Sequence, residues 1–311
     1  MNAPLDKFLL EEVALLKSGI DEAFIEKDWF VTKVIKTIAE NPYFDFLIVF
    51  TGGTALSKAH KLIERFSEDI DFRVIAPDMV NQGVSVIRKS LSGFKHYLAE
   101  LLQQEFEVLQ INARDNNRYI KIHLAYPTVC QPSAALRPHI KLEFVLSELL
   151  LPSVNLPVSS IIHEVAGRPP EVSKIACINP VENAADKLSA LVWRVSSRVR
   201  GENDKQPEIV RHLHDLAKLK KPILAHNQFS ELAKITIERD TNRAAEIQGL
   251  TMSEKLYLMI RIIETDAQYF REYETYVKAM VYGDSVTVPT FTEAVASLKA
   301  ILSKIVGFSP I

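Results

Sequence analysis

Phe50-Thr51-Gly52-Gly53-Thr54-Ala55-Leu56-Ser57-Lys58, followed by Arg65-Phe66-Ser67-Glu68-Asp69-Ile70-Asp71-Phe72, decides how this chain is read. The aromatic and β-branched run over 44–50 predicts a buried strand, and the glycine pair closes it. A short helix is expected over 55–63, so the turn delivers unpaired N-terminal amides. Consecutive glycines let a backbone come close to a phosphate. Thr54 and Ser57 add hydroxyls there, and Lys58 a positive charge. The second stretch predicts a strand over 67–75. Alternation then puts Asp69 and Asp71 on one face, with Ile70 and Phe72 on the other.

Two carboxylates on one face supply the hard oxygen ligands that Mg²⁺ takes, and a triphosphate can complete its shell. Phosphoryl transfer needs a cradle for phosphates and divalent ions to neutralise charge. Gly52, Gly53, Thr54, Ser57 and Lys58 are therefore the candidate nucleotide-binding residues, and Asp69 and Asp71 the candidate metal ligands. A third acid belongs on a neighbouring strand. Glu143, isolated in Ile140-Lys141-Leu142-Glu143-Phe144-Val145, fits, although it reads equally as a surface acid paired with Lys141. Taken singly, a Gly-Gly turn is an ordinary turn and Asp-x-Asp a solvated strand face; the conjunction points to a nucleotide site.

Outward from this pair, a helix is expected over 25–40, ended by Asn41-Pro42. Trp29 reads as its core anchor. A helix over 82–104 and strands over 105–112, 119–126 and 139–146 follow, with Asp115-Asn116-Asn117 as a hairpin turn. Pro152, Pro157, Pro169 and Pro170 mark a passage to the second half, which is helical from Pro180 onward. Thr290 and Glu293 form a capping box before an amphipathic stripe of Val295, Leu298, Leu302 and Ile305. The fold class is α+β: a mixed-sheet domain over 1–165, then a mostly helical domain over 166–311.

In the helical half, Leu188, Val192, Val195 and Val199 recur at helical spacing and should pack inward. Lys187, Leu191, Arg194 and Arg198 form the adjacent stripe, suited to phosphates or an RNA backbone, or simply solvated. Asp215 is spaced for intrahelical ion pairs with Arg211 and Lys218. His212 and His214 read as packing residues.

Composition is that of an ordinary globular chain: 311 residues, 47% hydrophobic and 24% charged, with a net charge of −2. A modest basic bias over 174–221 permits an RNA partner without requiring one. Two cysteines without metal-ligand spacing suit a reducing cytoplasm. Neither a secretory leader nor a membrane-spanning run is expected.

Glu26-Lys27-Asp28-Trp29, the two stretches quoted first, Asp186-Lys187-Leu188 and Arg211-His212-Leu213-His214-Asp215-Leu216 together carry a family resemblance. Across about 25–220 the chain resembles the AbiEii/MenT family of bacterial nucleotidyltransferase toxins, a branch of the polymerase-β-like nucleotidyltransferase superfamily. The resemblance implies a polymerase-β-like sheet domain and metal binding by Asp69 and Asp71. It further implies that Lys187 contacts nucleotide phosphates and that Asp215 is an essential acid. Such proteins are the toxin half of type IV toxin–antitoxin or phage-defence pairs. An NTP substrate, a tRNA 3′-end acceptor and an antitoxin encoded nearby are thus expected. A protein or small-molecule acceptor, or a non-catalytic nucleotide- or RNA-binding module, are the alternatives.

Overall fold

The computed structural model describes residues 4–17, 20–76, 82–201, 209–282 and 288–307. Its contacts divide the chain into two units. The first comprises Met1–Lys61 and Phe66–Ile178, the second Leu62–Arg65 and Asn179–Ile311.

The first unit opens with helices α1 (Lys7–Leu16) and α2 (Glu22–Glu40) and strand β1 (Leu47–Thr51). A single helical turn, α3 (Gly52–Thr54), runs into a π-type turn over Ala55–Ala59. Then come β2 (Asp69–Ile75), α4 (Val84–Gln103), β3 (Glu107–Arg114), β4 (Tyr119–Ala125), β5 (Ile140–Leu146), β6 (Val154–Val158), α5 (Ile161–Val165) and β7 (Val172–Cys177). The strands form one mixed sheet in the order β3-β4-β5-β2-β1-β7-β6. Pairs β2–β5 and β1–β7 are parallel, and the others antiparallel.

Alternation along the strands gives the sheet two unlike faces. Phe50, Ile70, Phe72, Ile120, Ile122, Leu142 and Phe144 are buried in one cluster with Phe30, Val34 and Ile35 of α2 and Leu91, Phe94 and Leu98 of α4. Rings pass from Phe50 to Phe72, Phe144 and Phe94 at centroid separations of 5.6, 5.1 and 5.6 Å. Each such ring contributes roughly 1.5–3 kcal/mol by leaving water. The opposite face carries the polar residues, Asp69 and Asp71 among them.

Expected elements recur with small shifts, and three depart in instructive ways. The chain turns at the wholly exposed Phe44, so β1 begins only at Leu47. The helix expected over 55–63 is instead the α3 turn and the π turn, closed by His60 N–H donating to Ala55 O at 3.0 Å. The proline-rich passage contains β6, α5 and β7, so the sheet unit runs to Ile178 rather than ending near 165. Pro157 lies in β6, at the sheet edge, where a missing N–H leaves no ladder bond unmade. The hairpin turn is as expected, with Asp115, Asn116 and Asn117 all at positive φ (47°, 54° and 67°).

The second unit is helical: α6 (Pro180–Ser196), α7 (Val210–Lys218), α8 (Lys220–Ala225), α9 (Phe229–Asp240), α10 (Met252–Thr265), α11 (Ala267–Met280) and α12 (Phe291–Val306). Asn179 caps α6 by accepting from Val181 N–H at 3.0 Å, with Pro180 at the first helical position. Leu188, Leu191, Val192 and Val195 are buried, whereas Val199 lies beyond the helix and is 80% exposed. The Thr290–Glu293 capping box opens α12, whose Val295, Leu298, Leu302 and Ile305 are buried. Residues 62–65 belong here too: Arg65 bridges to Val281, and Glu64 O accepts from Tyr282 N–H at 3.2 Å.

Candidate nucleotide and metal site

In the first unit, Gly52 sits at φ +76°, a conformation that L side chains rarely adopt. A Cβ on Gly52 would fall 2.1 Å from Asp71 Oδ2. The glycine turn and the Asp-x-Asp strand therefore meet, and the missing side chain is where the Asp71 carboxylate lies. Antiparallel pairing of β1 with β2 sets this up by placing Thr51 opposite Asp71. Gly53 follows, buried in α3.

Parallel pairing puts Asp69 opposite Lys141 and Asp71 opposite Glu143. Lys141 Nζ lies 3.1 Å from both Asp69 Oδ2 and Glu143 Oε1. Glu143 also accepts from the Tyr119 hydroxyl at 2.7 Å. Burial, reinforced by Glu143, raises the Tyr119 pKa, so this hydroxyl stays a donor. Burial disfavours the Lys141 ammonium, but Asp69, Glu143 and Asp71 outweigh it and hold its pKa above the usual lysine value.

Sequence reading overlooked Arg137, whose Nη1 donates to Asp69 Oδ1 and lies 3.5 Å from Glu68 Oε1. Its loop is held from below. Arg137 N–H donates to Glu68 at 2.9 Å, and buried Lys27 donates to both Glu68 (2.5 Å) and Arg137 O (2.6 Å). Glu26 accepts from Val129 N–H at 2.8 Å and from the Thr128 hydroxyl. Glu26 and Lys27 thus anchor the segment that carries Arg137 to the aspartates.

Three residues expected at the phosphates have partners within the fold. Thr54, fully buried, donates to the backbone oxygen of Asp69 and so fastens the glycine turn to β2. Ser57 donates to Thr54 O at 3.2 Å. Lys58 pairs with Asp28 at 2.5 Å, whose other oxygen accepts from Ile161 N–H at the start of α5.

Asp69, Asp71 and Glu143 offer the carboxylate oxygens that a hard divalent cation takes. Among the described residues, however, no three His, Cys, Asp or Glu side chains are gathered as a ready metal-ligand set. Arg137 and Lys141 neutralise Asp69 instead. The donor types fit a divalent ion; loading it requires these cations to yield.

The second unit holds Lys187 and Asp215. Lys187 Nζ is 2.7 Å from Asp215 Oδ2, and Arg65 forks onto both Asp215 oxygens at 2.7 and 2.8 Å. Asp215 draws on these partners from outside its own helix. Burial alone would raise its pKa, but Arg65 and Lys187 hold it well below the usual carboxylate range. Burial lowers Lys187, with Asp215 opposing and Arg65 adding to the effect. His212 is driven well below an ordinary histidine by burial and then by Lys187, Arg211 and Arg194, and neither of its ring nitrogens has a hydrogen-bond partner among the described residues. The basic stripe expected on α6 is dispersed: Arg194 lies over the Trp193 ring, and Arg198, beyond the helix, is bidentate to Glu272 at 2.8 and 2.7 Å.

A family model described as nucleotidyl transferase AbiEii toxin, type IV TA system, matches residues 34–297. The chain belongs to this family of nucleotidyltransferase toxins. Membership makes it a nucleotidyltransferase, with an NTP as substrate and an antitoxin as the partner implied by a type IV system. No curated protein matches it. Similar solved structures include MenT4, a nucleotidyltransferase toxin from Mycobacterium tuberculosis H37Rv, at 17% identity and TM-score 0.49, covering 94% of this chain and 98% of that one. Another is a STING-associated CdnE c-di-GMP synthase from Capnocytophaga granulosa, at 10% identity and TM-score 0.29, covering 97% and 87%. No helix among the described residues is long and apolar enough to cross a membrane.

Proposed function

We propose that this toxin acts in the cytoplasm as a Mg²⁺-dependent transferase that moves a nucleoside monophosphate from an NTP to the 3′ end of tRNA. Growth arrest, and through it phage defence, would follow from tRNAs closed to aminoacylation. The oxygen of the acceptor 3′-hydroxyl, giving up its proton to solvent, attacks the α-phosphorus, the bond to the β-phosphate oxygen breaks, and pyrophosphate departs. Bound Mg²⁺ would supply charge neutralisation at the phosphates. Asp69 and Asp71 are its proposed ligands, with Glu143 the third acid beside the acceptor hydroxyl.

The remaining chemistry is positioning and electrostatics. Gly52 and Gly53 give phosphates close approach to backbone. Thr54, Ser57 and Lys58 shape that turn from behind. Arg137 and Lys141, which neutralise Asp69 in this structure, are the cations placed to exchange that partner for an incoming triphosphate. In the helical unit, the phosphate-contacting role implied by the family pattern is assigned to Lys187, with Asp215 fixing its ammonium.

The observation that carries this reading is the Asp71 carboxylate lying where a Gly52 side chain would be. Such an arrangement serves a ligand that must touch backbone and carboxylate together. The test is incubation of the purified protein with bulk tRNA, Mg²⁺ and each α-³²P-labelled NTP, beside the Asp69→Ala/Asp71→Ala variant. Label on tRNA with the wild type alone supports it. Label on protein, or none, overturns the tRNA acceptor.

A further inference from the structure

The polar face of the sheet extends well past the aspartates, and its register is explicit. Across β3, β4, β5 and β2, one row runs Gln110, His123, Lys141, Asp69. The next runs Asn112, Lys121, Glu143, Asp71, and beyond it Arg114 pairs with Tyr119. From β2 to β3 is three strand spacings, roughly 14 Å. On the β3–β4 half of this face the one acid is Glu107, opposite Ala125 at the far end from Arg114, and Lys121 and Arg114 form no ion pair among the described residues. Asp69, Asp71 and Glu143 gather at the β2–β5 end, where the chemistry is proposed, and the two rows that lead to them from β3 and β4 carry Gln110, His123, Asn112 and Lys121.

Aromatic groups lie among the cations. His123 stacks on His139, with centroids 4.2 Å apart and planes at 27°. Burial chiefly, then neighbouring cations (Lys27 and Arg137 for His139), lowers both imidazoles, which favours neutral π-faces. Amide, cation and flat ring at strand spacing are what a single-stranded nucleic acid binds: cations for its phosphates and rings for its bases. A protein partner would ask for an apolar centre, which this face lacks.

We infer that the β3–β4–β5 face is the acceptor track, along which a single-stranded RNA end lies so that its 3′-hydroxyl reaches Asp71 and Glu143. Lys121 and Arg114 hold backbone phosphates, and the His123–His139 pair stacks a base. This rests on the RNA-acceptor reading above and adds to it the surface that receives the strand.

The test is fluorescence anisotropy of a 5′-labelled single-stranded RNA with a free 3′-hydroxyl, titrated with the full-length protein. Lys121→Glu and Arg114→Glu should each weaken binding about fivefold or more and reduce the salt dependence by about one phosphate contact. His123→Ala should weaken it about fivefold while leaving the salt slope alone. Lys89→Glu, an exposed charge reversal on α4, should bind as wild type does, and all four should keep wild-type NTP affinity and melting temperature. Unchanged RNA affinity in Lys121→Glu and Arg114→Glu, or an equal loss in Lys89→Glu, overturns the track. If the wild type labels tRNA while those variants bind normally, the track alone has failed. If the wild type neither binds nor labels RNA, the acceptor reading has failed with it.

Discussion

Asp69 and Asp215 each face one arginine and one lysine, yet their surroundings differ. Around Asp69 the side chains of Arg137 and Lys141 are 33% and 20% exposed. Around Asp215 those of Arg65 and Lys187 are 4% and 6% exposed, and the carboxylate itself is wholly buried. Water reaches Arg137 and Lys141 in the first cluster, although the Asp69 side chain is only 10% exposed, so exchanging an ion pair there costs less than in the second. In the second, removing one partner strands a charge in a dry interior. One set of side-chain types thus occupies two settings: a partly wet cluster, where we propose that metal and phosphate bind, and a dry one buried in the helical unit.

The double variant Asp69→Ala/Asp71→Ala should show the widest separation. Transfer should fall at least thousandfold, about 4 kcal/mol of barrier, in single-turnover assays. Its denaturation midpoint should stay near that of the wild type; a large drop there would erase the contrast. Asp215→Ala should do the reverse, losing about 3–5 kcal/mol of stability in urea titrations by leaving Arg65 and Lys187 unpaired. Gly52→Ala tests the wet cluster from its backbone side. The strained φ should cost about 1–2 kcal/mol of stability, and displacement of Asp71 should lower transfer well beyond that; an active, stable Gly52→Ala would break the reading.

The smallest effect concerns His212 in the dry cluster. Its folded pKa is depressed, so below about pH 6.5 the unfolded chain binds the proton and the folded chain does not. The corresponding stability is complete above that pH and is lost as pH falls towards the folded pKa, by about 1.4 kcal/mol per pH unit. Urea titrations from pH 7.5 to 5 should show this slope, and His212→Leu should flatten it.

What was legible followed how local each signal is. Strand alternation placed Asp69 and Asp71 on one face, and the Thr290–Glu293 box located the start of α12, because both depend on a few adjacent residues. Glu143 was found as an isolated acid in an apolar strand, and its place opposite Asp71 confirms the adjacency though not the role. Arg137 was missed, since it lies in a loop without periodicity and its position is set by Lys27 and Glu68 far away in the chain. Lys58 looked free beside the glycines; its partner Asp28 lies on α2, which no spacing rule reaches. Spacing offered Arg211 and Lys218 as partners for Asp215, whereas the observed partners come from the distant 62–65 segment and another helix. The edge hairpin of β6 and β7 stayed hidden because prolines mark loops and edge strands alike.

The four residues 62–65 leave the sheet unit after Lys61 and return to it at Phe66, and in between they supply the helical unit with Arg65. The two units are therefore interleaved rather than arranged in tandem. No single cut in the gene releases either one whole. A fragment ending at Ile178 would carry Arg65 away from Asp215, and the complementary fragment would keep Asp215 with only half of its countercharge. Any attempt to borrow this sheet as a separate module, by recombination in nature or by construction at the bench, must carry the helices along with it.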